Sequence, residues 1–249
     1  FAELGETGVK LKSPPLPLLG PNCFGLANPQ AKLDTTFAKT APPPGNIGLI
    51  SQSGALASFL FNWAKEEGLG FSKFVSLGNR LNLNENDFLD YFSRDPETKV
   101  IALYLESFAS GSEWLRLASR VSRTKPIVVL FGGQTIAGSQ ASLSHTASLS
   151  PPSEVVTSAL KQSGCLAARD LTDFTNLLEV FSLEPDLKDN DLAIITNAGG
   201  PAILATDTAT SLTFDVAKPI DVLGDALAER FQQAFATVSK DKTKDAFLI

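Results

Sequence analysis

Short aliphatic runs, each closed by a turn rich in glycine and serine and followed by a helix-like stretch, recur along this chain. Asn46-Ile47-Gly48-Leu49-Ile50 leads into Ser51-Gln52-Ser53-Gly54, and Ala55 to Glu67 then carries apolar residues at 56, 59, 60 and 63. That is a strand, a turn and an amphipathic helix. The device repeats: Phe74–Leu77 and Val100–Leu105 read as strands, Glu85–Ser93 and Glu113–Ser122 as helices. Pro126–Phe131 is a further strand, and Ser153–Ser163 and Leu171–Phe181 are further helices. Strands alternating with helices need right-handed crossovers, which build a parallel sheet buried on both faces. The expected class is α/β, doubly wound.

Proline and glycine mark the breaks. Ser13 to Gly25 is too punctuated for a long helix, and Ala41-Pro42-Pro43-Pro44-Gly45 interrupts the chain again. A polar stretch, Glu184 to Asp191, forms a second break. Beyond it Leu192–Thr196 reads as a strand, Asn197-Ala198-Gly199-Gly200-Pro201 as a turn, and Ala202–Ala209 as a helix with Pro201 near its start. These signals divide the chain into 1–45, 46–183 and 184–249, the last holding a second, incomplete α/β domain. The chain has no Met and opens on Phe1, so a piece of a longer protein is expected.

Composition narrows the function. A net charge of −6 without clustered Lys or Arg argues against nucleic acid or an anionic membrane as partner. Cys23, Cys165 and a single histidine offer neither a zinc site nor a disulfide framework, so no metal site is expected. No apolar run approaches the ~18 residues of a bilayer span and no leader is seen, so a cytoplasmic protein is expected.

Two turns, Ser51–Gly54 and Asn197–Gly200, each follow a strand and open a helix. Free amides and the positive end of the helix dipole suit such places to phosphate. Any strand-to-helix turn also favours Gly and Ser, and neither turn is a Walker A loop or a three-glycine dinucleotide fingerprint. The sole histidine, His145, lies in a Gly/Ser/Thr-rich loop after the strand ending at Phe131. Ligands of open α/β sheets gather at that edge, where an exposed imidazole can act as a nucleophile. Such an imidazole needs its second nitrogen held by an acceptor, and Glu106, at the end of the strand 100–105, is a candidate. A solvated strand-end acid is the plain alternative. Asn79, Asn82 and Asn84 fit an N-capping turn before the helix, and Trp63, Trp114 and most of the seventeen Phe read as core.

Gly20-Pro21-Asn22-Cys23-Phe24-Gly25, Ser51-Gln52-Ser53-Gly54-Ala55-Leu56, Val75-Ser76-Leu77-Gly78-Asn79, Tyr104-Leu105-Glu106, Ser144-His145-Thr146 and Thr196 to Pro201 occur in this order. Together they resemble the NDP-forming acyl-CoA synthetases, the ADP-forming acetate:CoA ligase branch of the succinyl-CoA synthetase superfamily. The resemblance implies two flavodoxin-like domains preceded by the tail of a Rossmann-like CoA-binding domain. It implies that residues 1–45 are that tail and linker, 46–183 the phosphohistidine domain and 184–249 the second flavodoxin-like domain. It also implies the chemistry: acyl-CoA and phosphate give acyl phosphate and CoA, the phosphoryl group passes to His145, and phosphohistidine delivers it to ADP or GDP. By the same resemblance Glu106 orients the histidine, and Ser53, Gly54, Asn197, Gly199 and Gly200 hold phosphate. Asn22, Cys23 and Ser51 become candidates for the CoA and acyl site. ATP/ADP or GTP/GDP with Mg²⁺ would bind an ATP-grasp domain, in cis or on a partner subunit of an oligomer.

Departures from the family pattern are Ala147 in place of a glycine, Asn82 and Asn84 where Asp is usual, and Phe131-Gly132-Gly133 where Lys-Ser-Gly is common. The stretch 207–219 reads as too short for the helix and strand expected there. Other readings are a non-catalytic CoA- or acyl-CoA-sensing module, as in the regulatory part of a protein acetyltransferase, and a flavodoxin-like FMN binder.

Overall fold

A computed structural model describes residues 16–135, 138, 152–184, 187–241, 243 and 246–249. The chain divides into two units, residues 1–184 and 185–249. In the first, the elements in chain order are β1 (Leu26–Asn28), β2 (Leu33–Asp34), β3 (Pro44–Ser51), α1 (Gly54–Glu66), β4 (Phe71–Ser76) and α2 (Glu85–Arg94). They continue with β5 (Val100–Leu105), α3 (Gly111–Val121), β6 (Ile127–Phe131), α4 (Ser153–Gln162), β7 (Leu166–Ala168) and α5 (Leu171–Leu183).

The strands form one sheet in the order β2-β1-β4-β3-β5-β6-β7. The run β4-β3-β5-β6-β7 is parallel throughout, which is the doubly wound order of a flavodoxin-like domain. Alternation along the strands feeds two cores. Ile50, Ile101, Leu103 and Val129 meet Leu89 and Phe92 of α2 and Trp114 and Leu117 of α3. Ile47, Leu49, Ala102 and Val128 meet Leu60 and Phe61 of α1 and Phe174 and Leu178 of α5. Each fully buried side chain of this size stabilises the fold by ~1.5–3 kcal/mol, so covering both faces outweighs the modest gain from any one helix cap.

Helix starts follow from the sequence. Ser53 Oγ accepts from Leu56 N at 3.2 Å and starts α1, and Asn84 makes a capping box with Asp87 at α2. On α1 the buried face is Ala57, Leu60, Phe61 and Ala64, an i, i+3, i+4 stripe one residue on from the face at 56, 59, 60 and 63 expected from sequence. Leu56 and Trp63 pack half-buried at its border and Phe59 is exposed, because Phe61 and not Phe59 meets the sheet.

The described part of segment 1–45 is not a body apart. β1 pairs antiparallel with β4 and with β2, so both extend the sheet. Phe71 N donates to Pro43 O at 2.7 Å, and Gly45 and Gly70 pass so closely that a Cβ on either would overlap the other strand's backbone. The prolines at 42–44 therefore turn the chain inside one compact unit, and the break expected at 41–45 does not divide it.

In the second unit β8 (Asp191–Thr196) is followed by α6 (Gly199–Ser211), β9 (Asp215–Val216), β10 (Ile220–Asp221), α7 (Ala228–Val238) and β11 (Ala246–Leu248). β8 pairs in parallel with β9, β10 and β11. Leu192, Ile194 and Ala209 form a small core. The stretch 207–219 does hold a helix end and a strand, against expectation. Thr213 takes φ 68, Phe214 N donates to Ala209 O at 3.0 Å, and the chain reverses at once into β9.

Candidate functional site

In a doubly wound sheet ligands gather beyond the carboxyl ends of the strands, at the point where strand order reverses. Here that point lies between β3 and β5, which run side by side while their crossovers go to opposite faces. The β3–α1 turn supplies one wall. Ser51 is fully buried; its Oγ accepts from Ser53 N at 3.0 Å and donates to Ser53 O at 2.8 Å. That hydroxyl is spent on closing the turn, so Ser51 builds the site's frame and is placed away from any exposed ligand surface. Ser53 caps α1, which leaves other first-turn amides of the helix to face a ligand. Gly54 has a packing reason: a Cβ there would sit 2.8 Å from the Phe24 side chain.

The second wall is the end of β5. Glu106 is only 7% exposed, so it is not a solvated acid. Its amide donates to Gln52 Oε1 at 2.5 Å, as does Ser107 N at 3.3 Å, which fastens the end of β5 to the β3–α1 turn. Tyr104 donates its hydroxyl to Glu106 Oε1 at 3.2 Å. Burial first, then the Glu106 charge and this hydrogen bond, push the Tyr104 phenol up to about 12, so it stays protonated as a donor at neutral pH. Gly132, just after β6, lies against the same pair, since a Cβ there would meet Tyr104 Oη at 2.8 Å and Glu106 Cγ at 3.4 Å. The loop toward His145 thus leaves the sheet beside Glu106. His145 itself, with Ser144 and Thr146, lies outside the described residues.

The 20–25 segment crosses the same sheet end. Phe24 N donates to Ser76 Oγ at 2.8 Å, and Ser76 N to Gly25 O at 2.9 Å. Gly78, at φ 56, allows the backbone of Pro21–Cys23 to approach; a Cβ there would lie 2.1 Å from Pro21 O. Asn22 is exposed and Cys23 half-buried, with its thiol 3.8 Å from Leu19 O. Asn22, Phe24, Ser53 and Gly54 are therefore brought to one edge, with Glu106 close in the sheet order.

Sequence reasoning missed the residues that fix this edge. Arg80, at φ 53, pairs with the fully buried Glu85 at 2.9 Å and donates to Ser107 O at 2.8 Å and Ser107 Oγ at 2.6 Å. Glu85 Oε1 accepts Ala109 N at 2.5 Å. The 79–85 stretch reads as a capping turn, and for Asn84 that is what it is; a charged residue in the turn was the remaining signal. Gln52 and Tyr104 sit inside motifs singled out for their neighbours.

In the second unit, α6 begins at an Ala198 cap with no side-chain bond to its amides. Asn197, Gly199 and Gly200 are exposed, and a Cβ on either glycine would meet nothing within 4 Å. Packing inside this unit therefore does not require the glycines. Among the described residues no group of three or more His, Cys, Asp or Glu is arranged to hold a metal ion, and no helix is long and apolar enough to cross a membrane.

A buried carboxylate beside a capped helix start, at a sheet's reversal point, can fix an imidazole's tautomer and stabilise charge that develops on it. Comparison with known proteins bears on that chemistry. Residues 44–181 match the family model described as succinyl-CoA ligase like flavodoxin domain. The chain is 36% identical over 280 residues to acetate–CoA ligase [ADP-forming] I of Archaeoglobus fulgidus, covering 100% of this chain and 40% of that protein. It is 38% identical over 217 residues to acetate–CoA ligase [ADP-forming] I subunit alpha of Pyrococcus furiosus, covering 84% of this chain and 47% of that one. A solved structure of Ca. Korarchaeum cryptofilum dinucleotide forming acetyl-coenzyme A synthetase 1, in complex with phosphate and ADP, superposes with TM-score 0.84 at 34% identity. That match covers 92% of this chain and 54% of the other. The chain thus spans about half or less of the length of each of these relatives.

Proposed function

Because this chain belongs to the succinyl-CoA ligase-like family through its flavodoxin domain, we propose that it is the phosphohistidine-bearing part of an NDP-forming acyl-CoA ligase. The acid is of the acetate class and the nucleotide ADP, a choice supported by the names of the Archaeoglobus and Pyrococcus relatives. Phosphate attacks the thioester carbonyl of acyl-CoA, the C–S bond breaks, and acyl phosphate and CoA thiol form. An imidazole nitrogen of His145 then attacks phosphorus, the P–O bond to the acyl group breaks, and the free carboxylate leaves. Phosphohistidine finally gives its phosphoryl group to a terminal oxygen of ADP, and the imidazole is restored.

Glu106 accepts a hydrogen bond from the second, proton-bearing nitrogen of His145, which holds the tautomer and steadies the positive charge while phosphorus is bound. The first-turn amides of α1 from Gly54 onward take the phosphoryl oxygens, with Ser53 capping that turn, and Asn197, Gly199 and Gly200 are the corresponding phosphate candidates of the second unit. Asn22 and Cys23 are the CoA-side candidates, with residues 1–45 read as the end of a CoA-binding domain. Nucleotide and Mg²⁺ belong to an ATP-grasp domain or subunit. The Pyrococcus relative's name, subunit alpha, supports work as part of a larger assembly.

The observation that carries this reading is the burial of Glu106 at the sheet's reversal point, fastened to the β3–α1 turn and next to the start of the His145 loop. Incubation of the protein with acyl-CoA and labelled phosphate is expected to leave acid-labile, alkali-stable label on the chain. His145→Ala is expected to carry none. Equal labelling of His145→Ala and parent contradicts the assignment.

A further inference from the structure

Resting on that reading, we infer that Arg80 and Glu85 are positioning residues for phosphoryl transfer: their buried ion pair bolts the 106–109 loop, and with it Glu106, to the loop after β4. Three connections meet on that short loop. Arg80 holds the Ser107 carbonyl and hydroxyl, Glu85 holds the Ala109 amide, and Gln52 holds the Glu106 and Ser107 amides from the opposite side. The Glu106 backbone is therefore gripped both from the β3–α1 turn and from the β4–α2 loop.

Two features argue that this pair serves geometry. Glu85 is 0% exposed and Arg80's side chain 12%, and taking both charges from water costs about what their attraction returns, so an apolar pair would serve stability as well. Arg80 also sits at φ 53, where a glycine would be free of backbone penalty, yet an arginine stands there. What only arginine supplies is a planar fork that reaches Glu85, the Ser107 carbonyl and the Ser107 hydroxyl at once. Gly132, lying against Glu106, begins the loop to His145, so a shift of the 106–109 loop would move the carboxylate relative to that loop.

The test is a double-mutant cycle on the chain assembled with its ATP-grasp partner, reading the rate of His145 phosphorylation from saturating acyl phosphate. Arg80→Met is expected to slow the step by about tenfold or more, as misplacement of a reacting group does. In a Glu106→Gln background the same change is expected to cost less than about twofold, because the two act through one carboxylate. Arg80→Lys is expected to recover part of the rate, and the KM for acyl phosphate is expected to stay put in the Arg80 variants. Ser107→Ala, which removes one acceptor of the fork, is expected to slow the step in the same direction and serves if Arg80→Met fails to fold. A parent-like rate in Arg80→Met and Ser107→Ala, or full multiplication of the losses with Glu106→Gln, overturns the inference. A parent that never labels His145 overturns the proposed function, and the inference with it; a parent that labels while Arg80→Met is unaffected overturns the inference alone.

Discussion

A carboxylate held 7% exposed at a strand end carries a desolvation cost, offset at Glu106 by the Tyr104 hydroxyl. That pairing could not be read from sequence, where Glu106 shows only as an acid out of place after six residues of strand. Its position at the sheet edge was readable, because a charge ending an apolar run has no packing use. Ser51 and Gly54 mislead in the opposite direction: both sit in the expected turn, but one closes it with its own hydroxyl and the other yields space to Phe24. Gly78 makes a similar demand. Gly78→Ala places a Cβ 2.1 Å from Pro21 O at φ 56, and is expected to destabilise the fold by about 1–3 kcal/mol in thermal or urea unfolding. A variant as stable as the parent would mean the Pro21–Cys23 crossing is not held where it is described.

Buried strands announce themselves, and β3, β5 and β6 were read from their aliphatic runs because both faces must be apolar. Strands β1 and β2 were not, since Leu33–Asp34 is exposed and Leu26–Asn28 is only partly covered, which leaves too little pattern to see. Helix α7 also escaped, having no buried residue. Elements are joined by charges as well as by apolar contact. Lys73 on β4 meets Asp95 and Glu97 at 2.8 Å, and Asp95 accepts from Thr98, which ties β4 to the loop before β5. Burial alone would raise the Asp95 pKa, but the Lys73 and Thr98 hydrogen bonds outweigh it and hold it below 3.8. Likewise burial would lower Lys73, but Asp95 and Glu97 hold it above 10.5. Asp95 therefore contributes stability above its unfolded pKa of 3.8 that is lost as pH falls, and Lys73 contributes stability below 10.5 that is lost as pH rises. Asp95→Asn is expected to lower stability at pH 7 by about 1–3 kcal/mol and to flatten the acid limb of a urea-midpoint profile against pH. An unchanged acid limb would show that Asp95 is not the group responsible.

Taken whole, the chain has the class its alternating pattern implies, doubly wound around a parallel sheet, with a second unit built on β8. The order of its motifs pointed to the right family, and those at 51–56, 75–79, 104–106 and 196–201 each lie at a strand's carboxyl end, where a fold's chemistry is kept. What sequence could not convey was how the 16–45 segment, the β4–α2 loop and the end of β5 lock together. Those contacts join residues up to 64 positions apart and set a side chain of one segment against a backbone group of another, and backbone groups are the same in every sequence. In the proposed reaction one imidazole, that of His145, carries phosphorus between acyl phosphate and nucleotide. Peptide mapping by tandem mass spectrometry of the phosphorylated intermediate, quenched at alkaline pH during turnover with acyl-CoA, phosphate and ADP, tests it most directly. Phosphate on the peptide containing His145, discharged when ADP is in excess, is the expected result. Turnover with that peptide unmodified throughout, or with phosphate on another residue, would contradict the account.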